Sequence, residues 1–346
     1  MMFASDNASG AAPEILAAIA EAETGYAMPY GNDAMTAQAV ARVRELFEVP
    51  EAGVYFVATG TAANALALAS LCPPWSTIYC HRTAHIEEDE CGAPEFYTGG
   101  AKLTLLDGDD AKMTAAGLEA AVTAPRSVQN VQKGALSLTQ ATEAGAAYSL
   151  DEVRALAGIA RNNGLPVHMD GTRLANVLAR QKVSPADMTW RAGIDILSLG
   201  ATKNGAIGAE AVVIFDPERA WEFELRRKRG GHLYSKMRFL SAQMNAYLTD
   251  DLWLRLADHA NTMADRLAEG LAAVPDVRMT NTIGANVLFP EITLAQHQRL
   301  QAAGAQYYTM TPFDAEGPED QRLKIRLVTS FRTREEDVDG FLQGLR

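Results

Sequence analysis

The segment around Lys203 has the strongest potential for covalent chemistry in this sequence. Lys203 lies in GATKNG (residues 200–205), directly after the apolar run of residues 194–200. Such a run is typical of a buried strand, and open α/β sheets bind ligands at the carboxyl ends of their strands. A partly desolvated lysine amine can lose its proton there and form an imine with an aldehyde. Because a lysine at a strand end is more often a surface residue, this prediction depends on its neighbours.

The segment HMDGTR (residues 168–173) ends the preceding predicted strand and adds two charged groups. A carboxylate at a strand end, such as Asp170, can keep a pyridine nitrogen protonated, which makes the aromatic ring an electron sink. The guanidinium of Arg173 can bind the carboxylate of a substrate through paired hydrogen bonds. The simpler alternative is an aspartate that caps a helix, with an incidental arginine nearby.

Two further segments contain groups that suit a phosphorylated aromatic cofactor. In TGTAAN (residues 59–64), Gly60 permits a tight turn, and Thr61 offers donors at the positive end of the following helix, which favours a phosphate. His85 follows another predicted strand and can stack on an aromatic ring and exchange protons near neutral pH. Taken alone, the turn is a well-capped helix, His85 is a structural histidine and the acidic residues 87–90 are a solvated surface. Together, the four segments predict a site for pyridoxal 5′-phosphate.

The elements that must position these groups alternate between short apolar runs and helical stretches. A helix is predicted from the capping box of Ser149 and Glu152 to Gly164. This alternation predicts an α/β fold with a mostly parallel central sheet and helices on both faces. Seven strands are predicted, at residues 54–58, 76–80, 102–107, 134–140, 165–170, 194–200 and 211–215.

The pattern changes near residue 250, where a long helix (residues 252–271) precedes separate strands. A last helix is predicted to begin at a capping box of Thr333 and Glu336. We therefore predict a large domain of residues 1–245, with an N-terminal arm, and a smaller C-terminal α+β domain of residues 246–346. The strands of the smaller domain are predicted at residues 285–289, 305–310 and 323–331.

Charge and composition exclude several classes of function. The chain of 346 residues has a net charge of −12 and a pI of about 5.0, so a nucleic acid or an anionic membrane would be repelled. No apolar run reaches the ~20 residues of a membrane helix, and no export signal is visible. The three cysteines, at positions 72, 80 and 91, lack the spacing of metal ligands. We predict a cytoplasmic protein without a bound metal.

With these segments in place, the sequence resembles the low-specificity L-threonine aldolases, which are fold-type I pyridoxal-phosphate enzymes of the beta-eliminating lyase/threonine aldolase family. The resemblance extends over nearly the whole chain. It implies a lyase that cleaves L-threonine, L-allo-threonine and related β-hydroxy-α-amino acids to glycine and an aldehyde by retro-aldol chemistry. The segments that carry it are residues 3–7 (FASDN), 30–33 (YGND), 84–96, 168–171 (HMDG), 200–205 and 235–240 (SKMRFL), together with Arg326.

The resemblance also implies a role for each matching residue. Lys203 would hold pyridoxal 5′-phosphate as a Schiff base, His85 would stack on its ring and act as a base, and Asp170 would pair with its nitrogen. Tyr30 and Lys236 would reach the site of a neighbouring subunit in a homodimer or homotetramer. Further residues implied to bind the cofactor are Gly60, Thr61, Arg173, Thr202 and Lys236, and those implied to bind the substrate are Ser5, Tyr30, Arg173 and Arg326.

Two departures from the family pattern leave the catalytic base open. Many relatives have E-N-T-H-N where this chain has TQATE (residues 139–143), and V-T-H where it has VTS (residues 328–330). They also leave the preference between threonine and allo-threonine open. Two alternatives to the aldolase remain, and one is another pyridoxal-phosphate reaction, such as β-elimination, racemisation or transamination. A second is a phosphate-binding α/β protein without catalysis, although no GxGxxG or P-loop pattern follows a strand. A purely structural protein would not require Lys203, Asp170 and His85 to lie together.

Overall fold

A computed structural model describes residues 1–346, and its centre is a sheet of seven strands. The spatial order is β1-β7-β6-β5-β4-β2-β3. All neighbouring pairs are parallel except those of β7, which runs antiparallel to both β1 and β6. The strands are β1 (Gly53–Val57), β2 (Ser76–His81), β3 (Lys102–Leu106), β4 (Gln132–Thr139), β5 (Val167–Gly171), β6 (Ile196–Gly200) and β7 (Glu210–Ile214).

Helices cover both faces of this sheet. Because successive strand residues point to opposite faces, Ile196 packs into one hydrophobic core and Leu197 into another. The helices are α1 (Pro13–Ala22), α2 (Ala34–Phe47), α3 (Gly60–Ala69), α4 (His85–Glu88), α5 (Ala93–Thr98), α6 (Ala115–Thr123), α7 (Leu150–Asn162), α8 (Leu174–Gln181), α9 (Pro185–Met188), α10 (Ala220–Arg229), α11 (Arg238–Leu248), α12 (Leu252–Ala272), α13 (Leu294–Ala302) and α14 (Glu335–Leu345).

The predicted α/β architecture is confirmed, and all seven predicted strands are present with ends shifted by a few residues. The capping box of Ser149 and Glu152 at the start of α7 is also present. The orientation of β7 was not predicted. Only residues 201–209 connect it to β6, which is too short for the helical crossover that a parallel neighbour requires.

A second, smaller sheet forms near the C-terminal end of the chain, and residues near the N-terminal end pack against it. The backbone N–H of Phe3 donates to the Gln306 carbonyl at 2.8 Å, and Val328 N–H donates to the Phe3 carbonyl at 2.8 Å. The Phe3 ring meets Phe341 edge-on in the core. The domain boundary at 245/246 remains a prediction, but residues 1–4 pack with the smaller unit. Its strands are β8 (Arg278–Met279), β9 (Val287–Leu288), β10 (Pro290–Thr293), β11 (Tyr308–Thr309) and β12 (Arg322–Val328).

The predicted start of the last helix is wrong in its detail. The Thr333 hydroxyl accepts a hydrogen bond from Ser330 N–H and is not available as a cap. Instead Arg334 precedes α14, and the Asp337 carboxylate accepts hydrogen bonds from the backbone and side-chain nitrogens of Arg334. Among the fourteen α-helices, none combines the length and the apolar character needed to cross a lipid bilayer.

Candidate active site

Lys203 lies on a short 3-10 turn (Thr202–Asn204) that directly follows β6. The turn is fixed from below, because buried Asn204 donates hydrogen bonds to the Trp253 carbonyl at 2.8 Å and the Tyr247 hydroxyl at 2.9 Å. Gly205 ends it with a φ of +109°, a conformation that favours glycine. The Lys203 amine is partly buried and has no hydrogen-bond or ion-pair partner, while burial and the nearby Arg173 charge lower its pKa. An unpaired, largely desolvated amine is chemically reactive rather than stabilising.

Lys203 forms part of the wall of an open cavity of about 780 Å³. Predicted site residues from distant parts of the chain line the same cavity: Ser5, His85, Arg173 and Arg326. The rest of the wall is mostly polar. It includes the acidic residues Glu88, Asp89, Asp110 and Glu143 and, on the side of the smaller sheet, Phe289, Tyr308 and Met310.

Asp170, the last residue but one of β5, is a buried carboxylate with one unfilled acceptor position. Its Oδ1 accepts hydrogen bonds from the backbone N–H of Thr172 at 3.0 Å and from the Thr172 hydroxyl at 2.6 Å. Its Oδ2 accepts only one, from Asn64 at 2.9 Å, which leaves a lone pair for a further donor. Burial opposes its charge, but these hydrogen bonds and the nearby His85 outweigh it, so the pKa lies below its usual value. Asp170 is therefore ionised at neutral pH.

His85 begins α4, and a chain of hydrogen bonds connects it to Asp170. Its Nδ1 lies 2.9 Å from the Oε1 of Glu90, and Asn64 Nδ2 donates both to this oxygen at 2.9 Å and to Asp170. The bond to Glu90 raises the pKa of His85, and burial raises the pKa of Glu90. A carboxylate can only accept, so Nδ1 carries the hydrogen in neutral His85 and Nε2 is left as a base.

The interpretation of residues 87–90 as a solvated surface is wrong for Glu90, which is only 4% exposed. The His85, Glu90 and Asp170 ligand atoms lie within 4.8 Å of one another, a grouping that resembles a metal site. The amide hydrogens of Asn64 point at both carboxylates, however, and a cation between them would have to displace that amide. The sequence spacing of an acid five residues after a candidate histidine was the one signal that could have suggested this contact.

Two arginines face the cavity from opposite elements. The Nε and Nη2 atoms of Arg173 donate to the carboxylate of Asp6 at 3.0 and 3.2 Å, and both residues are buried. Burial opposes both charges, but the ion pair prevails, so the pKa of Asp6 is lowered and that of Arg173 is raised. Asp6 thus occupies the side edge of the guanidinium, formed by Nε and Nη2. The outer end, formed by Nη1 and Nη2, remains for a ligand.

Arg326 on β12 has a single long hydrogen bond, from Nη1 to the Ala4 carbonyl at 3.5 Å. Burial and the charge of Arg173 lower its pKa. Two guanidinium groups that repel each other across one cavity are relieved by an anion placed between them. A carboxylate, with its planar pair of oxygens, matches this arrangement. Ser5 lies beside them and caps the turn of Asp6–Ala8 with its hydroxyl.

The predicted phosphate turn lies at the same edge of the sheet as the Lys203 turn. The Thr59 hydroxyl caps α3 by accepting a hydrogen bond from Ala62 N–H at 3.2 Å. The N–H groups of Gly60 and Thr61, which precede Ala62 in the helix, have no protein partner. An added Cβ at Gly60 would meet only the Thr172 hydroxyl, at 3.8 Å, which leaves open space at this helix N-terminus. Free amides at the positive end of a ten-residue helix favour a phosphate.

Tyr30 and Lys236 do not line the cavity of their own chain. Both lie on the surface, where Tyr30 N–H donates to the Ser235 carbonyl at 2.9 Å. The neighbouring residues Tyr26 and Met28 are also strongly exposed. The structure thus brings together Lys203, His85, Asp170 and the two arginines. Tyr30 and Lys236 lie outside the cavity.

The sequence and the fold are those of a known family. Residues 2–290 match the Beta-eliminating lyase family, and the chain belongs to it. The chain is 44% identical over 307 residues to the low specificity L-threonine aldolase of Pseudomonas aeruginosa, covering 89% of this chain and 88% of that protein. It is 41% identical to the enzyme of the same name from Pseudomonas sp. (strain NCIMB 10558), with the same coverage. A solved threonine aldolase structure from Leishmania major is 29% identical and superimposes with a TM-score of 0.92, covering 99% of this chain and 98% of that one.

Proposed function

We propose that this protein cleaves L-threonine, L-allo-threonine and related β-hydroxy-α-amino acids to glycine and an aldehyde, with pyridoxal 5′-phosphate attached to Lys203. The observation that carries this proposal is the unpaired Lys203 amine in a cavity shared with two arginines. A nucleophilic amine and a receptor for a carboxylate are the two features that an enzyme acting on amino acids through this cofactor requires. The similarity to two threonine aldolases over most of the chain supports the choice of reaction.

The residues of the site fit the cofactor. Asp170 Oδ2 has one free lone pair for a pyridine N–H, and the free amides of Gly60 and Thr61 suit a phosphate. Lys203, between these two places in the sheet order, would hold the aldehyde carbon. The cofactor supplies an electron-withdrawing ring, which accepts the electron pair released when the Cα–Cβ bond breaks. Ionised Asp170 favours a protonated ring nitrogen and so strengthens that withdrawal.

The arginines orient the substrate. The outer end of Arg173 and the guanidinium of Arg326 would bind the amino-acid carboxylate from two sides, and this fixes rotation about Cα. The two arginines would thereby decide which bond at Cα takes the position that leads to cleavage, and so govern the choice of reaction as well as affinity. A hydroxyl-bearing Cβ in that position gives retro-aldol cleavage.

His85 is the group we assign to the proton of the substrate hydroxyl. Its Nδ1–H is held by Glu90, which leaves the Nε2 lone pair as the acceptor, directly or through one water. The hydrogen bond to Glu90 raises the pKa of His85 and so stabilises the protonated imidazole after the transfer. Protonated His85 would then donate this proton to Cα, which gives glycine and restores the base.

Product analysis tests the reaction. Purified protein with pyridoxal 5′-phosphate should convert threonine to equimolar glycine and acetaldehyde, measured by amino-acid analysis and by alcohol dehydrogenase with NADH. Borohydride treatment followed by peptide mass spectrometry should place a reduced pyridoxyl group on Lys203. Pyruvate or 2-oxobutyrate with ammonia would indicate β-elimination, and D-amino acid would indicate racemisation, and either as the main product would refute the aldolase assignment.

The functional unit is a homodimer or a homotetramer of such dimers. The segments of residues 25–31 and 234–238 lie together, since Arg238 donates to the Gly25 carbonyl and Tyr30 to that of Ser235. Exposed apolar side chains on these segments favour a contact with a second chain. In that contact Tyr30 and Lys236 would enter the partner's site. A cytoplasmic location stays a prediction of the sequence.

A further inference from the structure

Glu210 is a buried carboxyl group that the reaction above does not use. It is the first residue of β7 and is 5% exposed. In the sheet it pairs with Val57 on one side and with Gly200 on the other. Those two residues end β1 and β6, and the turn of residues 58–61 and the Lys203 turn follow directly. Glu210 therefore lies between the free amides suited to a phosphate and the lysine suited to an aldehyde.

Both carboxyl oxygens of Glu210 are engaged by the Lys203 turn. Oε2 accepts the backbone N–H of Ala201 at 3.0 Å, and Oε1 is bonded to the hydroxyl of Thr202. The same hydroxyl oxygen accepts the N–H of Ala209 at 3.3 Å. A hydroxyl has a single hydrogen. As long as Glu210 is ionised, the hydrogen of Thr202 must point at Glu210, and the hydroxyl can offer an approaching anion only its lone pairs.

The surroundings of Glu210 allow it to take up a proton near neutral pH. Burial raises its pKa to about 7, and the charge of Asp170 acts in the same direction. The hydrogen bonds from Thr202 and Ala201 and the charge of Lys203 oppose this shift. Tyr247 of α11 is the remaining titratable neighbour, and burial keeps it neutral by raising its own pKa. No arginine or lysine forms an ion pair with Glu210.

We infer that Glu210 is a positioning residue that couples binding of the cofactor phosphate to uptake of one proton. When Oε1 takes up a proton from solvent, the hydrogen bond reverses and Glu210 donates to Thr202 Oγ1. The Thr202 hydroxyl can then donate its own hydrogen bond to a phosphate oxygen. Binding and protonation then favour each other, because the Thr202 hydroxyl can add its hydrogen bond to those of the Gly60 and Thr61 amides only while Glu210 is protonated. This inference rests on the proposed function, since it places the cofactor phosphate beside the Gly60 and Lys203 turns.

The size of the effect follows from the fraction of protein in the competent state. The competent state is the protein with protonated Glu210, and the apparent affinity for phosphate is multiplied by the fraction in that state. With a pKa of about 7, this fraction falls about 15-fold between pH 7 and pH 8.5. In Glu210→Gln, the amide oxygen can accept from Ala201 and the amide N–H₂ can donate to Thr202. The variant therefore imitates the protonated acid at every pH. A role for Glu210 confined to holding the turn would leave Glu210→Gln indistinguishable from the parent protein.

The test uses the full chain freed of cofactor and the probe pyridoxine 5′-phosphate, which has no aldehyde and cannot condense with Lys203. Its dissociation constant is measured by calorimetry from pH 6.5 to 8.5 for the parent protein and Glu210→Gln. Titration of the probe itself cancels in the ratio of the two constants. We expect the dissociation constant of the parent protein, divided by that of Glu210→Gln, to rise about 15-fold between pH 7 and pH 8.5. Parallel profiles would overturn the coupling alone, whereas no binding by either protein at any pH would overturn the cofactor assignment together with the coupling.

A second measurement keeps the inference testable if Glu210→Gln does not fold. Calorimetry of the parent protein in two buffers of different ionisation enthalpy gives the number of protons taken up on binding. Thr202→Val, which removes the hydroxyl without changing the shape, serves as the reference. At pH 8 the parent should take up close to one proton more than Thr202→Val. Equal uptake by the two proteins would contradict the inference.

Discussion

Replacing Asp6 with asparagine removes the only carboxylate that contacts the guanidinium of Arg173. The side chains of this pair are 2% and 5% exposed, so water cannot replace the lost charge. The new amide would also place N–H groups against Arg173 or against Asn286, which donates to the same carboxylate at 3.3 Å. Removing one partner of a buried ion pair costs about 3–5 kcal/mol, because the other charge stays buried without compensation. Here Lys203 and Arg326 add repulsion from the same cavity.

The chain offers a matched control in Asp339→Asn. Arg266 Nη2 contacts both oxygens of Asp339, at 2.9 and 3.0 Å, so this pair also consists of one arginine and one aspartate. Its side chains are 41% and 59% exposed, however, and an exposed pair contributes about 0–1 kcal/mol. Urea unfolding followed by tryptophan fluorescence should therefore separate the two variants by at least 2 kcal/mol. Equal losses in Asp6→Asn and Asp339→Asn would refute the reasoning.

The stability lost in Asp6→Asn has a defined dependence on pH. The pKa of Asp6 is lowered in the folded protein from its ordinary value of 3.8. A depressed carboxyl pKa contributes stability that is complete above the unfolded value and is lost as the pH falls through the folded one. The difference in unfolding free energy between the parent and Asp6→Asn should thus be constant from pH 6 to pH 8 and should shrink below about pH 4.

Three further outcomes are expected. Glu90→Gln removes the carboxylate that raises the pKa of His85. The acidic limb of the kcat/KM profile should therefore move to lower pH, and kcat should fall. An unmoved limb would exclude His85 as the titrating base. Arg326→Met should raise KM for threonine about 10- to 100-fold through loss of a charge-assisted bond to the carboxylate, with a cofactor spectrum unchanged from the parent. Mixing inactive Lys203→Ala with inactive Tyr30→Phe should restore up to about a quarter of the parent activity if Tyr30 acts in the partner's site, and no recovery would place it elsewhere.

The fold was largely predictable because its signals are local. Most strands of the central sheet are short apolar runs buried between helices, and only the edge strand β3 is largely half-buried or exposed. The direction of β7 could have been predicted too, from the length of residues 201–209 alone. In the smaller sheet, β9, β11 and β12 lie in the segments predicted as strands, whereas β8 and β10 were not predicted. A strand of two residues such as β8 leaves almost no periodic pattern in a sequence.

The candidate site was predictable only in part. Lys203, Asp170 and His85 stand at ends of predicted strands, and the sheet brings such ends to one edge. Asp6 and Glu90 were not predicted as site residues, since the contacts that bury them join separate segments of the chain. Asp6 meets Arg173 across 167 positions, and Glu90 is buried by Asn64 of α3. An acidic residue in a polar stretch has the same local appearance whether water or protein surrounds it in the folded state.

The pairing of Phe3 with Gln306 and Val328 has a consequence for how the protein is made. Residues 2–6 leave the ribosome before the strand that receives them, which is translated some three hundred residues later. At 5–20 residues per second, this segment waits between about 15 seconds and one minute without its partner. During that interval Arg173 emerges and its neighbours can pack, but Asp6 cannot be held against it. Assembly of this cavity is therefore a late event in biosynthesis, because the contacts that hold Asp6 against Arg173 require a strand that is made near the C-terminal end of the chain.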